Sequence, residues 1–198
     1  MTAQRRYGHV IISYVYWAAL ADLVPYDTVK VIDLHDFVTL NKYMITGKGE
    51  FRLGRMFAGE VRAISKFDFA LSISREETLM LSPFCPKTRF VDVPVSFPKR
   101  FPKKRGHDFD LLFFGSDNAF NLEGIKWFMK EVYPLLPAAV RIAIVGRVSG
   151  HVEKKGNITL IPHVSDVDEV YSRSKLSFCP LKGGTGLKVK VVEALSRL

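Results

Sequence analysis

Short apolar runs rich in β-branched residues alternate along the chain with longer stretches whose apolar positions recur every three or four residues. His9 to Tyr16 opens the pattern and predicts a buried strand that runs into a helix over Trp17 to Leu23. Val29 to Asp33, Phe69 to Ser74 and Arg89 to Val93 read as further strands, the last stopped by Pro94. Helical stretches are expected from about Arg52 to Lys66 and from Arg75 onward. A second series of strands follows at Asp110 to Phe114, Arg141 to Val145, Ile158 to Ile161 and Leu176 to Cys179. Leu122, Ile125, Met129, Val132 and Leu136 line one face of a predicted helix over Asn121 to Leu136, closed by Pro137. Further helices are expected over Val167 to Ser174 and Leu187 to Leu195.

Strands alternating with helices at this spacing predict βα units and parallel sheets, hence an α/β fold with two Rossmann-like domains. The apolar run Leu111 to Phe114 suits a strand covered on both faces. The expected division is residues 1–98, a linker over 99–107, and residues 108–198. Open parallel sheets bind ligands at the carboxyl ends of their strands. That rule points to Gly115-Ser116, Gly146-Arg147, Pro162-His163 and the glycine-rich turn after Pro180.

Composition narrows the class. The 198 residues are 47% hydrophobic and 25% charged, which is globular and not disordered. The net charge of +9 favours phosphate-bearing partners. The basic run Lys99, Arg100, Lys103, Lys104 and Arg105, interrupted by Pro98 and Pro102, reads either as a solvated linker or as a contact with an anionic membrane surface. No recognition helix or aromatic platform accompanies it, so no nucleic-acid partner is expected. Cys85 and Cys179 form neither a zinc pattern nor a disulfide framework, which fits a reducing compartment. Arg5 and Arg6 before Val10 to Leu20 imitate a secretion signal. Tyr14, Tyr16, Trp17 and Asp22 argue against that reading, and the run is too short to span a bilayer as a helix.

The densest chemistry lies in Pro180-Leu-Lys-Gly-Gly-Thr-Gly-Leu-Lys-Val-Lys-Val-Val-Glu-Ala-Leu195. A strand enters a glycine-rich turn that opens a helix, where main-chain N–H groups and the helix dipole favour a phosphate. Lys188 and Lys190 in the first turn oppose the dipole unless an anion is bound. A flexible turn with solvated lysines is the simpler alternative. Leu187 between Gly186 and Lys188 breaks the Walker pattern, and Val189 replaces the third glycine of a dinucleotide fingerprint.

The second half resembles the nucleotide-binding domain of group 1, retaining, GT-B glycosyltransferases. The resemblance is carried by Phe114-Gly115-Ser116 with Asn118 and Asn121-Leu-Glu-Gly-Ile, by Ile144-Val-Gly146, by Pro162-His163-Val164 with Val170-Tyr171, and by Gly184-Thr-Gly-Leu-Lys-Val-Lys-Val-Val-Glu-Ala-Leu195. It implies a nucleoside diphosphate sugar as donor substrate. By resemblance Gly115 and Ser116 border the donor, Gly183, Gly184, Thr185, Gly186, Leu187 and Lys188 cradle its diphosphate, His163 and Val164 hold the base, and Glu193 binds the ribose. A surface helix glutamate is the other reading of Glu193. Val31-Ile-Asp-Leu-His-Asp36 resembles the strand ending in the family's histidine, which makes His35 the catalytic candidate; a His-Asp pair that steadies a loop is the alternative.

Two departures stand out. The family's paired glutamates lie eight positions apart, but Thr185 occupies the first position here, and Ser116, Asp117, Asn118 and Asn121 replace an Arg and a Lys expected after Phe114. The expectation is a GT-B chain shortened at both ends, its N-terminal domain incomplete and its C-terminal one lacking the last elements. No cofactor and no metal are expected. The expected reaction transfers a sugar to a hydroxyl of a saccharide or lipid-linked acceptor, in the cytoplasm or at the inner membrane surface. The rivals are a non-catalytic nucleotide- or phosphate-binding fragment and, less favoured, an NAD-dependent oxidoreductase.

Overall fold

The computed structural model describes residues 6–46, 52–100 and 106–197. Pro102, Lys103, Lys104 and Arg105 of the basic run lie outside the described residues. The chain divides into two compact units, one of Met1–Val95 with Gly184–Leu187, the other of Ser96–Gly183 with Lys188–Leu198.

The first unit holds a four-stranded parallel sheet in the order β1 (His9–Ser13), β2 (Val29–Leu34), β3 (Phe69–Ser72) and β4 (Arg89–Asp92). Alternate residues Ile12, Ile32, Leu34 and Ala70 enter one core with Phe37, Ile64, Phe67, Leu81 and Cys85. The helices are α1 (Val38–Thr46), α2 (Leu53–Ile64) and α3 (Arg75–Leu81). β1 stops at Ser13 and not at the expected Tyr16, because Tyr14 takes φ 68 and the chain turns into a 3-10 helix over Val15–Leu23. α1 was not predicted: its β-branched residues disfavour helix. Both carboxylate oxygens of Glu60 hold it, accepting the Val38 and Thr39 N–H groups at 2.9 and 2.8 Å.

The second unit is also a four-stranded parallel sheet, in the order β7 (Ile158–Ile161), β6 (Ile142–Val145), β5 (Phe109–Phe114) and β8 (Ser174–Ser177). Its two faces fill separate cores. Phe113, Ile142 and Ile144 pack with Ile125 and Phe128, whereas Leu112, Ala143 and Val145 pack with Val170. That alternation confirms the expected two-sided burial. The predicted helix Asn121 to Leu136 is divided into α4 (Ala119–Trp127), a π segment (Phe128–Val132) and a 3-10 turn (Tyr133–Leu135). Pro134 in that turn has no N–H to continue the α pattern. β8 lies two residues earlier than expected, where Ser174 registers with Phe109 and Leu176 with Leu111. α5 (Val167–Ser172) ends early, and α6 (Val189–Leu195) starts two residues after the expected Leu187, with Lys188 as its N-cap residue.

Candidate functional site

At the carboxyl end of β5 the chain turns through Gly115 and Ser116 into α4. Asn118 caps α4 by accepting the Asn121 N–H at 2.9 Å. The Asn121 amide reaches back, donating to the Ser116 carbonyl at 2.9 Å and to its hydroxyl at 3.2 Å. The same Asn121 accepts from the Lys190 ammonium, which also lies 4.9 Å from the centre of the Phe113 ring. Burial pushes the Lys190 pKa down, and neighbouring Lys188 adds to the effect. Asn121 thus holds the Lys190 side chain at the β5 turn.

The adjoining turn after β6 allows only glycine. Gly146 has φ 95, its N–H donates to the Ile161 carbonyl at 2.8 Å, and a Cβ on it would overlap the Gly115 carbonyl oxygen. After β7, His163 is exposed, whereas Val164 packs toward the Val170 core. Glu193 on α6 pairs with Arg197 at 3.5 Å, and Arg197 also binds Asp168 at 2.6 Å. Arg100 joins from the other side at 2.9 Å, and it with Arg197 holds the Asp168 carboxyl below the usual range. The Tyr171 ring lies parallel to Phe114, with centroids 6.3 Å apart; burial, then the Glu193 charge, pushes its hydroxyl up to about 12.

The glycine turn is divided. Gly183 and Lys188 belong to the second unit, Gly184–Leu187 to the first. Within the first unit the turn is hydrogen-bonded: the Thr185 N–H donates to Asn41 Oδ1 at 2.8 Å, and the Gly184 N–H to Met44 Sδ at 3.3 Å. Glu77 accepts the Phe37 N–H at 3.0 Å and hydrogen bonds from the Thr185 side chain and the Gly186 main chain. Burial raises the Glu77 pKa despite these bonds. Gly184 and Gly186 take φ 97 and 72, which the turn requires. These N–H groups, read from sequence as a phosphate cradle, have protein acceptors in this structure.

His35 follows β2 at the sheet's carboxyl edge. Its Nε2 lies 3.0 Å from Asp33 Oδ2, and its ring stacks on Tyr14 with centroids 4.0 Å apart. Its carbonyl oxygen lies 3.6 Å from where a Cβ on Gly186 would stand. Asp33, two residues before it, supplies the His-Asp pair. Asn41, Glu77 and Tyr14 are not singled out by the sequence as site residues. Lys190 is marked in the sequence as a cation in the first turn of a helix, without its Asn121 partner.

Two parallel-sheet α/β units match the GT-B fold. Residues 108–197 match the family described as "Glycosyl transferases group 1", so this stretch is a group 1 glycosyltransferase domain. No curated protein sequence matches the chain. Among solved structures, sucrose-phosphate synthase from Thermosynechococcus elongatus is similar at TM-score 0.71 and 14% identity over 96% of this chain and 54% of that one. TarM is similar at 0.66 and 12%, over 95% and 39%. The E. coli trehalose-6-phosphate structure bound with UDP-2-fluoro glucose is similar at 0.59 and 11%, over 96% and 56%. The chain thus spans roughly two-fifths to somewhat more than half of these proteins.

Proposed function

We propose that the chain takes part in moving a sugar from a nucleoside diphosphate sugar to a hydroxyl acceptor. The observation that carries this reading is the group 1 match over residues 108–197, laid on a parallel sheet whose β5 turn presents Ser116, Asn121 and the Lys190 ammonium. In the second unit the β5 turn, Gly183 and Lys188 serve the donor diphosphate and Glu193 and His163 the nucleoside; in the first unit His35 serves the sugar. Backbone dipoles and lysine charge stabilise the leaving diphosphate, with retention at the anomeric carbon and without metal or cofactor. The acceptor is a saccharide or a lipid-linked sugar of polysaccharide or glycolipid assembly, met in the cytoplasm or at the inner membrane face. The likeness to structures solved with UDP-2-fluoro glucose and with UDP and GlcNAc supports a UDP donor.

Calorimetric titration of the 198-residue chain with UDP, GDP and NAD tests the reading. UDP or GDP is expected to bind and NAD to bind at least tenfold more weakly. Tight NAD binding with no response to either diphosphate overturns it in favour of an oxidoreductase.

A further inference from the structure

We propose that the first unit carries a second ligand site, for a phosphorylated amphiphile, in an open cavity of about 590 Å³ between α1, α2 and the 3-10 helix over Val15–Leu23. That volume falls in the range of small-molecule pockets. On α2 the lining residues Arg55, Met56, Gly59, Arg62 and Ala63 recur at three- and four-residue spacing, and Arg52 precedes the helix. Lys42 of α1 completes a set of four cations, its ammonium 5.3 Å from the centre of the Tyr16 ring. Among the described lining residues there is one acid, Glu60, whose two oxygens already accept the N–H groups of Val38 and Thr39. The cavity therefore has an excess of positive charge over apolar walls formed by Val15, Val38, Met56 and Ala63. The Thr39 hydroxyl, on a residue 1% exposed, has no partner among the described residues. A buried hydroxyl in that condition points to an acceptor from outside the chain, such as a phosphate oxygen.

Charge and wall together select the ligand. Inorganic phosphate would leave the apolar walls empty, and a neutral amphiphile would leave the four cations uncompensated. A phosphate-headed molecule with an alkyl or prenyl body satisfies both. This site is separate from the donor turns, and direct binding reads it whether or not the chain transfers a sugar.

Gly59 provides the test. It lines the cavity from inside α2, and a Cβ there meets nothing within 4 Å, so Gly59→Leu fills the cavity while favouring the helix. Decyl phosphate, below its micelle concentration, is titrated into wild type, Gly59→Leu and the double variant Arg52→Gln/Arg55→Gln, with inorganic phosphate and octyl glucoside alongside. Decyl phosphate should bind at least tenfold tighter than either control. Each variant should lose at least tenfold, with the thermal midpoint of Gly59→Leu unchanged or raised. Sedimentation with phosphatidylglycerol vesicles separates the sources: binding lost in Gly59→Leu assigns a lipid headgroup, and no vesicle binding assigns a free molecule. Inorganic phosphate binding as tightly as decyl phosphate, or decyl phosphate or vesicle binding that survives Gly59→Leu, overturns the proposal.

Discussion

The Tyr14 ring lies on the His35 imidazole, centroids 4.0 Å apart and planes 18° apart, while the Tyr14 backbone sits at φ 68. A non-glycine residue there is strained by about 1–3 kcal/mol, and such strain gathers where a side chain must be aimed. Tyr14→Ala and Tyr14→Gly both remove the ring, but only glycine relieves the backbone. Glycine normally costs about 0.5–1 kcal/mol relative to alanine. Here the order should reverse, with Tyr14→Gly the more stable by up to about 2 kcal/mol in urea denaturation, once the glycine cost is set against the relieved strain. Alanine the more stable of the two would remove the strain argument.

Gly146 makes a second stability prediction. Positive φ and overlap with the Gly115 carbonyl add together, so Gly146→Ala should destabilise the second unit by about 3 kcal/mol or more. Gly150→Ala, with open space around it, should stay within about 0.5 kcal/mol of wild type. Equal thermal midpoints for the two variants would contradict this account.

What the sequence made legible follows from where the information resides. β5, β6 and β7 lie within a residue of their expected bounds, because each is an apolar run ended by glycine or a polar turn. α1 was illegible because its cap is Glu60, supplied from another helix. The end of β1 was illegible because an apolar run does not show that Tyr14 leaves the extended region. In the candidate site, the turns were found by their glycines and the strand-end rule. Partners such as Glu77 for the Gly186 main chain or Asn41 for Thr185 join distant segments, and no local spacing encodes them.

Glu77 gives a pH dependence. Burial raises its folded pKa above the ordinary 4.5, so the folded chain holds this proton more tightly than the unfolded one. Its contribution is complete below about pH 4.5 and is lost as pH rises through the folded value. The stability of wild type relative to Glu77→Gln should therefore fall as pH increases above 4.5. Asp110 has the opposite sign: Lys175 and Arg141 lower its pKa, so its contribution is lost only as pH falls below the usual carboxylate range. A gap between wild type and Glu77→Gln that is flat or widens from pH 4.5 to 8 would rule out the Glu77 assignment.

The two lysines near the glycine turn can be told apart. Asn121 ties the Lys190 ammonium to the Ser116 turn, and burial leaves that charge poorly solvated. A diphosphate oxygen beside Ser116 would supply the opposite charge, so binding should raise the Lys190 pKa toward its ordinary value. Lys190→Met should then weaken UDP binding by about 1.5–3 kcal/mol, the range for a hydrogen bond to a charged group. Lys188→Ala, at the N-cap of α6, is expected to lose a similar amount only if its ammonium also reaches the diphosphate. The pH profile separates the two roles. Wild-type affinity should fall as pH rises through the lowered Lys190 pKa, with proton uptake on binding in alkaline buffer. Lys190→Arg, which keeps its charge, should flatten that profile while retaining most of the affinity. UDP binding to Lys190→Met at wild-type strength, with an unchanged pH profile, would remove Lys190 from the donor site and leave Lys188 as its cation.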